Sequence, residues 1–333
     1  MGSSNGNEFA VEVDYSDPLL RIDGVTPPLA KVLRDHGYYT IESVAVEAPH
    51  ILVERIGERA GLNIEKARQI CEAARALLQI RPKTIAELIE EEKQRIYIST
   101  GSAAIDDLLG GGIRTGELTG VSGAYGVGKT AMVLTAAVNV VKGLGAGAFL
   151  IDTEGAMSVS RILDIAKARG APLDEVLEKV LFIRVHTTDH LIALIEGSHK
   201  IIRDKCIRFI GIDTFVNPFR VEHIGRETLP TRQSKMNRCL HRLINYARIY
   251  NMAVLLTNQV VARPEANPFE SRPEMIEPPT GGHVFMYAVN NHLYLRRAGE
   301  RYKYIAILID SSYRPRGEVV YSVDEAGIVD YSG

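Results

Sequence analysis

Eight consecutive residues, Gly123-Ala124-Tyr125-Gly126-Val127-Gly128-Lys129-Thr130, have the types and spacing that hold a chain of phosphates. Glycines let backbone amides turn toward an anion, the lysine reaches the terminal phosphates, and the hydroxyl at the eighth position ligates Mg²⁺. The chemistry implied is binding of ATP with Mg²⁺. A metal on a phosphate chain also needs a carboxylate, and Asp213 supplies one at the end of the apolar run Arg208-Phe-Ile-Gly-Ile-Asp213.

Three further groups could complete a reaction. Glu154, in Asp152-Thr-Glu154-Gly155, could orient and deprotonate an attacking water, or could cap the helix expected from about Ser158. Asn258 and Gln259 close the apolar run MAVLLTNQ, where a side-chain amide can touch the γ-phosphate and report it to the chain that follows. Arg220, Arg226, Arg232, Lys235, Arg238 and Arg242 form a basic series, spaced by three or four from Arg232 onward and opposed locally only by Glu222 and Glu227. That series suits contact with a phosphate backbone, or is simply a solvated helix face.

Such residues work only if secondary structure places them. A phosphate loop needs a strand before it and a helix after it, and ELTGVS and AMVLTAAVNVV have those patterns. Beyond residue 100 the apolar, β-branched runs ELTGVSG, GAFLIDT, KVLFIRV, RFIGID, MAVLLTNQ, NNHLYLRR and YKYIAILID alternate with helical stretches. The pattern predicts an α/β core over 100–333 with a mostly parallel sheet, whose carboxyl-terminal strand ends face the ligand crevice. Residues 17–79 predict a small all-helical domain punctuated by Gly24, Gly37 and Gly61, with Pro27 and Pro28 opening one helix and Asn63 capping another. Its turns are open to two readings, a helix-hairpin-helix contact with DNA or a structural turn. Residues 80–99 read as a charged linker and 1–16 as a flexible N-terminus.

The chain has 333 residues, 46% of them hydrophobic, and a net charge of −2, which excludes a uniformly basic nucleic-acid binder. The distribution is uneven: 15 Lys/Arg against 8 Asp/Glu over 220–316, but 12 against 16 over 1–99. Three scattered cysteines, Cys71, Cys206 and Cys239, suggest a reducing, cytoplasmic setting, and no run of eighteen apolar residues suggests a membrane span.

Taken in order, the motifs resemble archaeal RadA, a recombinase family related to RecA. The resemblance is carried by IDGVTPPLAKVLRDHGY, RIYISTGSAAIDDLLGGGIRTGELT, the phosphate loop, LIDTEG, TTDH, FRVEHIGRETLPTRQ, LLTNQVVARP, GGH and RGEVVYSVDEAGI. It implies a RecA-like P-loop ATPase core with a helix-hairpin-helix domain, acting as a DNA-dependent ATPase that forms a filament or ring of identical subunits on single-stranded DNA and exchanges strands with duplex DNA. By the same resemblance Glu154 is the catalytic glutamate, acting with Lys129, and Gln259 links the γ-phosphate to DNA. Arg161 stacks on adenine, and Asp310 and Pro315 cap a neighbouring subunit's ATP. Arg220, Arg226 and Arg232 lie in or beside a first DNA-binding loop, and residues 262–282, with Arg263, Arg272, Gly281 and Gly282, form a second.

The chain departs from the family pattern in several places. Pro82 and Ile85 stand where the linker has Phe-x-x-Ala, leaving Ile80 as the nearest substitute; Tyr287 stands where a histidine approaches the γ-phosphate. Met157-Ser-Val-Ser-Arg161 keeps only the last arginine of its motif, and Ser312 replaces a cap proline. These departures motivate a second expectation, a RadA-like accessory protein that binds ATP and DNA or a recombinase without catalysing exchange.

Overall fold

The computed structural model describes residues 17–78, 84–222, 225, 227–260, 282–299 and 303–332, with 58, 91 and 283 described by backbone alone. The chain forms two compact units, one ending at Thr84 and the other beginning at Ile85.

In the first unit a 3₁₀ turn (Pro18–Arg21) precedes four helices, α1 (Pro27–Asp35), α2 (Ile41–Ala45), α3 (Pro49–Ala60) and α4 (Ile64–Leu77). Each start has a local cause. Pro27 and Pro28 occupy the first turn of α1, where a missing amide hydrogen is no loss. Thr40 and Ser43 cap α2 reciprocally, and the Asn63 side chain accepts from Lys66 N at 2.8 Å to begin α4. Leu33, Tyr38, Leu52, Ile56 and Ile70 make up the centre of its core, and the buried Tyr38 hydroxyl donates to Glu47 at 2.8 Å.

The second unit begins with α5 (Ile85–Lys93), β1 (Tyr97–Ile98), α6 (Ala103–Leu109) and β2 (Ile113–Arg114), with β1 and β2 paired antiparallel. Glu92 of α5 pairs with the buried Arg114 at 2.7 Å. Then follow β3 (Leu118–Gly123), α7 (Lys129–Leu144), β4 (Gly147–Asp152), α8 (Val159–Ala168), α9 (Leu173–Lys179), β5 (Val180–Arg184), α10 (Thr188–Gly197), α11 (His199–Asp204) and β6 (Ile207–Asp213). The remainder is α12 (Asn217–Glu222), α13 (Leu229–Ile249), β7 (Ala253–Gln259), α14 (Gly282–Ala288), β8 (Asn291–Arg297), β9 (Tyr304–Ser311), β10 (Gly317–Asp324) and β11 (Gly327–Asp330).

The main sheet has the order β11-β10-β9-β8-β3-β7-β6-β4-β5. From β8 to β5 neighbouring strands run parallel, and β9, β10 and β11 continue the sheet antiparallel. The parallel strands read as unbroken apolar runs because both faces are covered. Leu150 of β4 and Leu255 of β7 join a core under α7, while Phe149, Ile151, Val254 and Leu256 join a second core under α10 and α13. Gly211 lets α7 lie close on β6, since a Cβ there would sit 2.4 Å from Val133 Cγ1. The sequence patterning did not reveal β10 and β11, which are only half buried and mix polar with apolar residues.

Candidate active site

Sheet order and register bring the chemistry together. In the parallel β3–β7 pair Gly123 lies opposite Gln259, and in the β4–β6 pair Asp152 lies opposite Asp213. Because β7 and β6 are neighbours, four carboxyl-terminal strand ends form one edge, the expected ligand crevice of an open α/β sheet.

The phosphate loop leaves this edge and turns into α7 at Gly128, whose φ of 94° belongs to the left-handed region that favours glycine. The Tyr321 hydroxyl of β10 donates to Val127 O at 2.5 Å and fastens the loop from behind. Lys129 Nζ donates to Gly123 O at 2.9 Å and Ala124 O at 2.8 Å. Burial pushes the Lys129 ammonium below its usual range, against the opposing charges of Asp213 and Glu154. Thr130 Oγ1 donates to Asp213 Oδ2 at 2.5 Å, and the Thr257 hydroxyl donates to Asp213 Oδ1. Asp213 is 2% exposed, and that burial raises its carboxyl above the ordinary range despite both hydroxyls. A cavity of about 450 Å³ opens here, between the loop, Glu154, Gln259 and an apolar wall of Tyr304 and Val323.

Glu154 reaches the cavity because of Asp152. The Asp152 carboxylate accepts backbone N–H groups from Glu154, Gly155, Ala156 and Met157 at 3.2, 2.7, 3.2 and 3.3 Å, folding the chain after β4 into a tight turn. No side chain caps the start of α8 at Ser158, so Glu154 does not serve as its cap. It accepts a hydrogen bond on Oε1 from Gln259 Nε2 at 2.7 Å. Asp152 was visible in the sequence only as a strand-end acid; four amides on one carboxylate require the turn itself. Tyr304 opens β9, which the run YKYIAILID predicts, but nothing in that run marks its place at the cavity; Tyr321 and Val323 lie on β10, whose mixed polar and apolar pattern carries no periodic signal.

Other expected residues lie outside the cavity lining. Arg161 is half-buried and donates to the carbonyls of Asp324 and Glu325, the latter at 3.1 Å, against the β10–β11 turn. Asp310 and Pro315 are exposed at the end of β9 and just beyond it. Arg220 is exposed on α12, Arg232 is half-buried on α13, and Gly282 begins α14. Arg226, Arg263, Arg272 and Gly281, like Ile80, Pro82 and residues 1–16, lie outside the described residues.

One expectation needs correction. The basic face of α13 is not opposed only by Glu222 and Glu227: Lys235 pairs with Asp189 at 2.9 Å and Arg238 with Glu196 at 2.6 Å. Both acids come from α10, which packs on α13, so two of the cations are already partnered.

Residues 91–331 match the Rad51 family model. The chain belongs to the Rad51 family. Residues 16–76 match the SAM-like helix-hairpin-helix tandem. The DNA repair and recombination protein RadA of Metallosphaera sedula is 38% identical over 315 residues, covering 93% of this chain and 94% of that protein. The protein of the same name from Ignicoccus hospitalis is 36% identical over 333 residues, covering 97% and 98% respectively. Membership of this RecA-type family carries nucleotide binding with it, and the geometry fits: amide-rich loop, lysine held at its floor, and a desolvated carboxylate beside a hydroxyl. Among the described residues no helix is long and apolar enough to cross a membrane.

Proposed function

We propose that the chain is a cytoplasmic DNA-dependent ATPase that assembles as a homo-oligomer on single-stranded DNA and exchanges strands with homologous duplex. The observation that carries this reading is the Gln259–Glu154 contact at the mouth of the phosphate-loop cavity. Gln259 ends β7 immediately before the segment expected to hold DNA, so one side chain touches both the hydrolytic glutamate and the entry to that segment.

In this reading Lys129 leaves the Gly123 and Ala124 carbonyls for the terminal phosphates, exchanging neutral acceptors for charged ones. Thr130 and Asp213 hold Mg²⁺, which when bound neutralises charge on the phosphates. Glu154 orients the attacking water and takes its proton. Arg161 packs against adenine. Asp310 and Pro315 lie off their own subunit's cavity, which suits a cap over the ATP of the next subunit and makes turnover depend on assembly.

ATP hydrolysis measured with and without single-stranded DNA, on samples inspected for filaments by electron microscopy, tests the proposal. Stimulation together with filaments is the expected result. The rival accessory role is favoured by Tyr287, which is 83% exposed and absent from the cavity lining; ATP binding with neither stimulation nor filaments would select it.

A further inference from the structure

Helix α10 touches both sides of the expected first DNA-binding loop. At one side Glu222, the last residue of α12, accepts the Thr188 backbone N–H on Oε1 at 2.9 Å. At the other, Asp189 and Glu196 hold Lys235 and Arg238 of α13. The α12 side is a short helix of six residues. Its root is held by Phe219, buried and 5.4 Å from the Phe215 ring, but its far end carries an exposed Val221 and is tied to α10 through Glu222.

The Thr188 amide is one of the first four of α10, which have no acceptor within the helix. Thr187 satisfies the amide of His190 with its hydroxyl at 3.1 Å, and Glu222 satisfies that of Thr188 from outside. A carboxylate at this end also meets the positive pole of the helix dipole, so the contact is charge-assisted.

We propose that Glu222 is a positioning residue for DNA: seated on the first amide of α10, it fixes α12, and so holds Arg220 in a set relation to Arg232 on α13. This rests on the reading of Arg220 and Arg232 as DNA contacts. It makes a prediction opposite to simple charge counting. A surface carboxylate beside a DNA path repels phosphate, so its removal should tighten binding; as an anchor, its removal should weaken it.

The test measures affinity for a labelled single-stranded oligonucleotide, together with DNA-free and DNA-stimulated ATP turnover, in the full chain with ATP and Mg²⁺. Glu222→Ala removes the acceptor. Thr188→Pro removes the amide donor and, with it, the buried Thr188 hydroxyl and methyl: Pro is tolerated at the first helical position, and Thr187 already has the extended conformation (φ −130°, ψ 157°) that precedes proline. Both variants should weaken DNA binding by roughly five- to tenfold, with DNA-free turnover unchanged. Glu222→Gln, which still offers an oxygen, should recover part of the loss, and the double variant should be no worse than either single one. Tighter binding in Glu222→Ala and Glu222→Gln alike would overturn the proposal, as would a parallel fall in DNA-free turnover. A wild-type chain that binds no single-stranded DNA defeats the functional reading itself, before any variant is compared.

Discussion

Gln259 Nε2 donates to Glu154 Oε1 at 2.7 Å, linking the end of β7 to the turn after β4 across the mouth of the nucleotide cavity. The two residues are 105 positions apart in sequence. Their meeting follows from the sheet order, in which β7 lies beside β3 and only β6 separates it from β4. Gln259→Ala should therefore separate two activities. DNA-free hydrolysis should persist within a few-fold of wild type, because Glu154 and Lys129 remain, while stimulation by single-stranded DNA should disappear. Steady-state turnover across a DNA titration reads this directly; a variant that keeps full stimulation would remove Gln259 from the coupling.

Glu154→Gln keeps the shape of the turn and an acceptor for Gln259, but not a base. Turnover should fall by about 10²- to 10⁴-fold with nucleotide binding retained. Lys129→Ala should instead weaken binding and abolish turnover together, because it removes the buried cation from the loop floor. Equilibrium nucleotide titration alongside hydrolysis separates the two cases, and persistent hydrolysis in Lys129→Ala would refute the assignment.

The phosphate loop, Asp213 and Gln259 were legible because each is a chemically distinctive residue at the end of an apolar run, and parallel strands gather such ends on one edge. The α13 cations were not. Lys235 and Arg238 find their acids 46 and 42 residues away, on a helix whose packing no local spacing encodes. Asp152 was hidden differently: its residue type was noticed, but its function as acceptor for four successive amides belongs to the backbone turn. The half-buried β10 gave too mixed a pattern to read, so Tyr321, which fastens the loop at Val127, was missed with it.

His292 offers a pH test. It is fully buried on β8, 2.7 Å from Ser122 Oγ, and burial pushes its imidazole down to about 4, with Asp310 acting in the opposite sense. Between pH about 6.5 and about 4 the unfolded chain holds this proton and the folded chain does not, so stability falls as pH falls through that window. The contribution is on the order of 3 kcal/mol across the full window. His292→Gln should flatten the dependence of the melting temperature on pH over this range, whatever its effect at pH 7. An unchanged slope would show that another group carries it.

Asp330 closes the chain onto α6. Its carboxylate accepts from Ser102 Oγ at 2.5 Å and from the amides of Ala103 and Ala104 at 3.2 and 3.0 Å, so the last strand caps a helix more than 200 residues earlier. The Ser102 bond, then the Ala104 amide, lower the carboxyl pKa. A depressed folded pKa means that the stabilisation is present above the unfolded value, near 4, and is lost as pH falls through the folded one. Asp330→Ala should cost about 1 kcal/mol at pH 7, the usual scale for a helix cap. Asp330→Asn retains one acceptor oxygen and should lose less. Chemical denaturation of both variants at pH 7 and pH 3 should show the difference from wild type narrowing at the lower pH, since below the unfolded value, near 4, the advantage of the depressed carboxyl begins to be lost. A gap of equal size at both values would place the contribution of Asp330 in packing rather than in its charge.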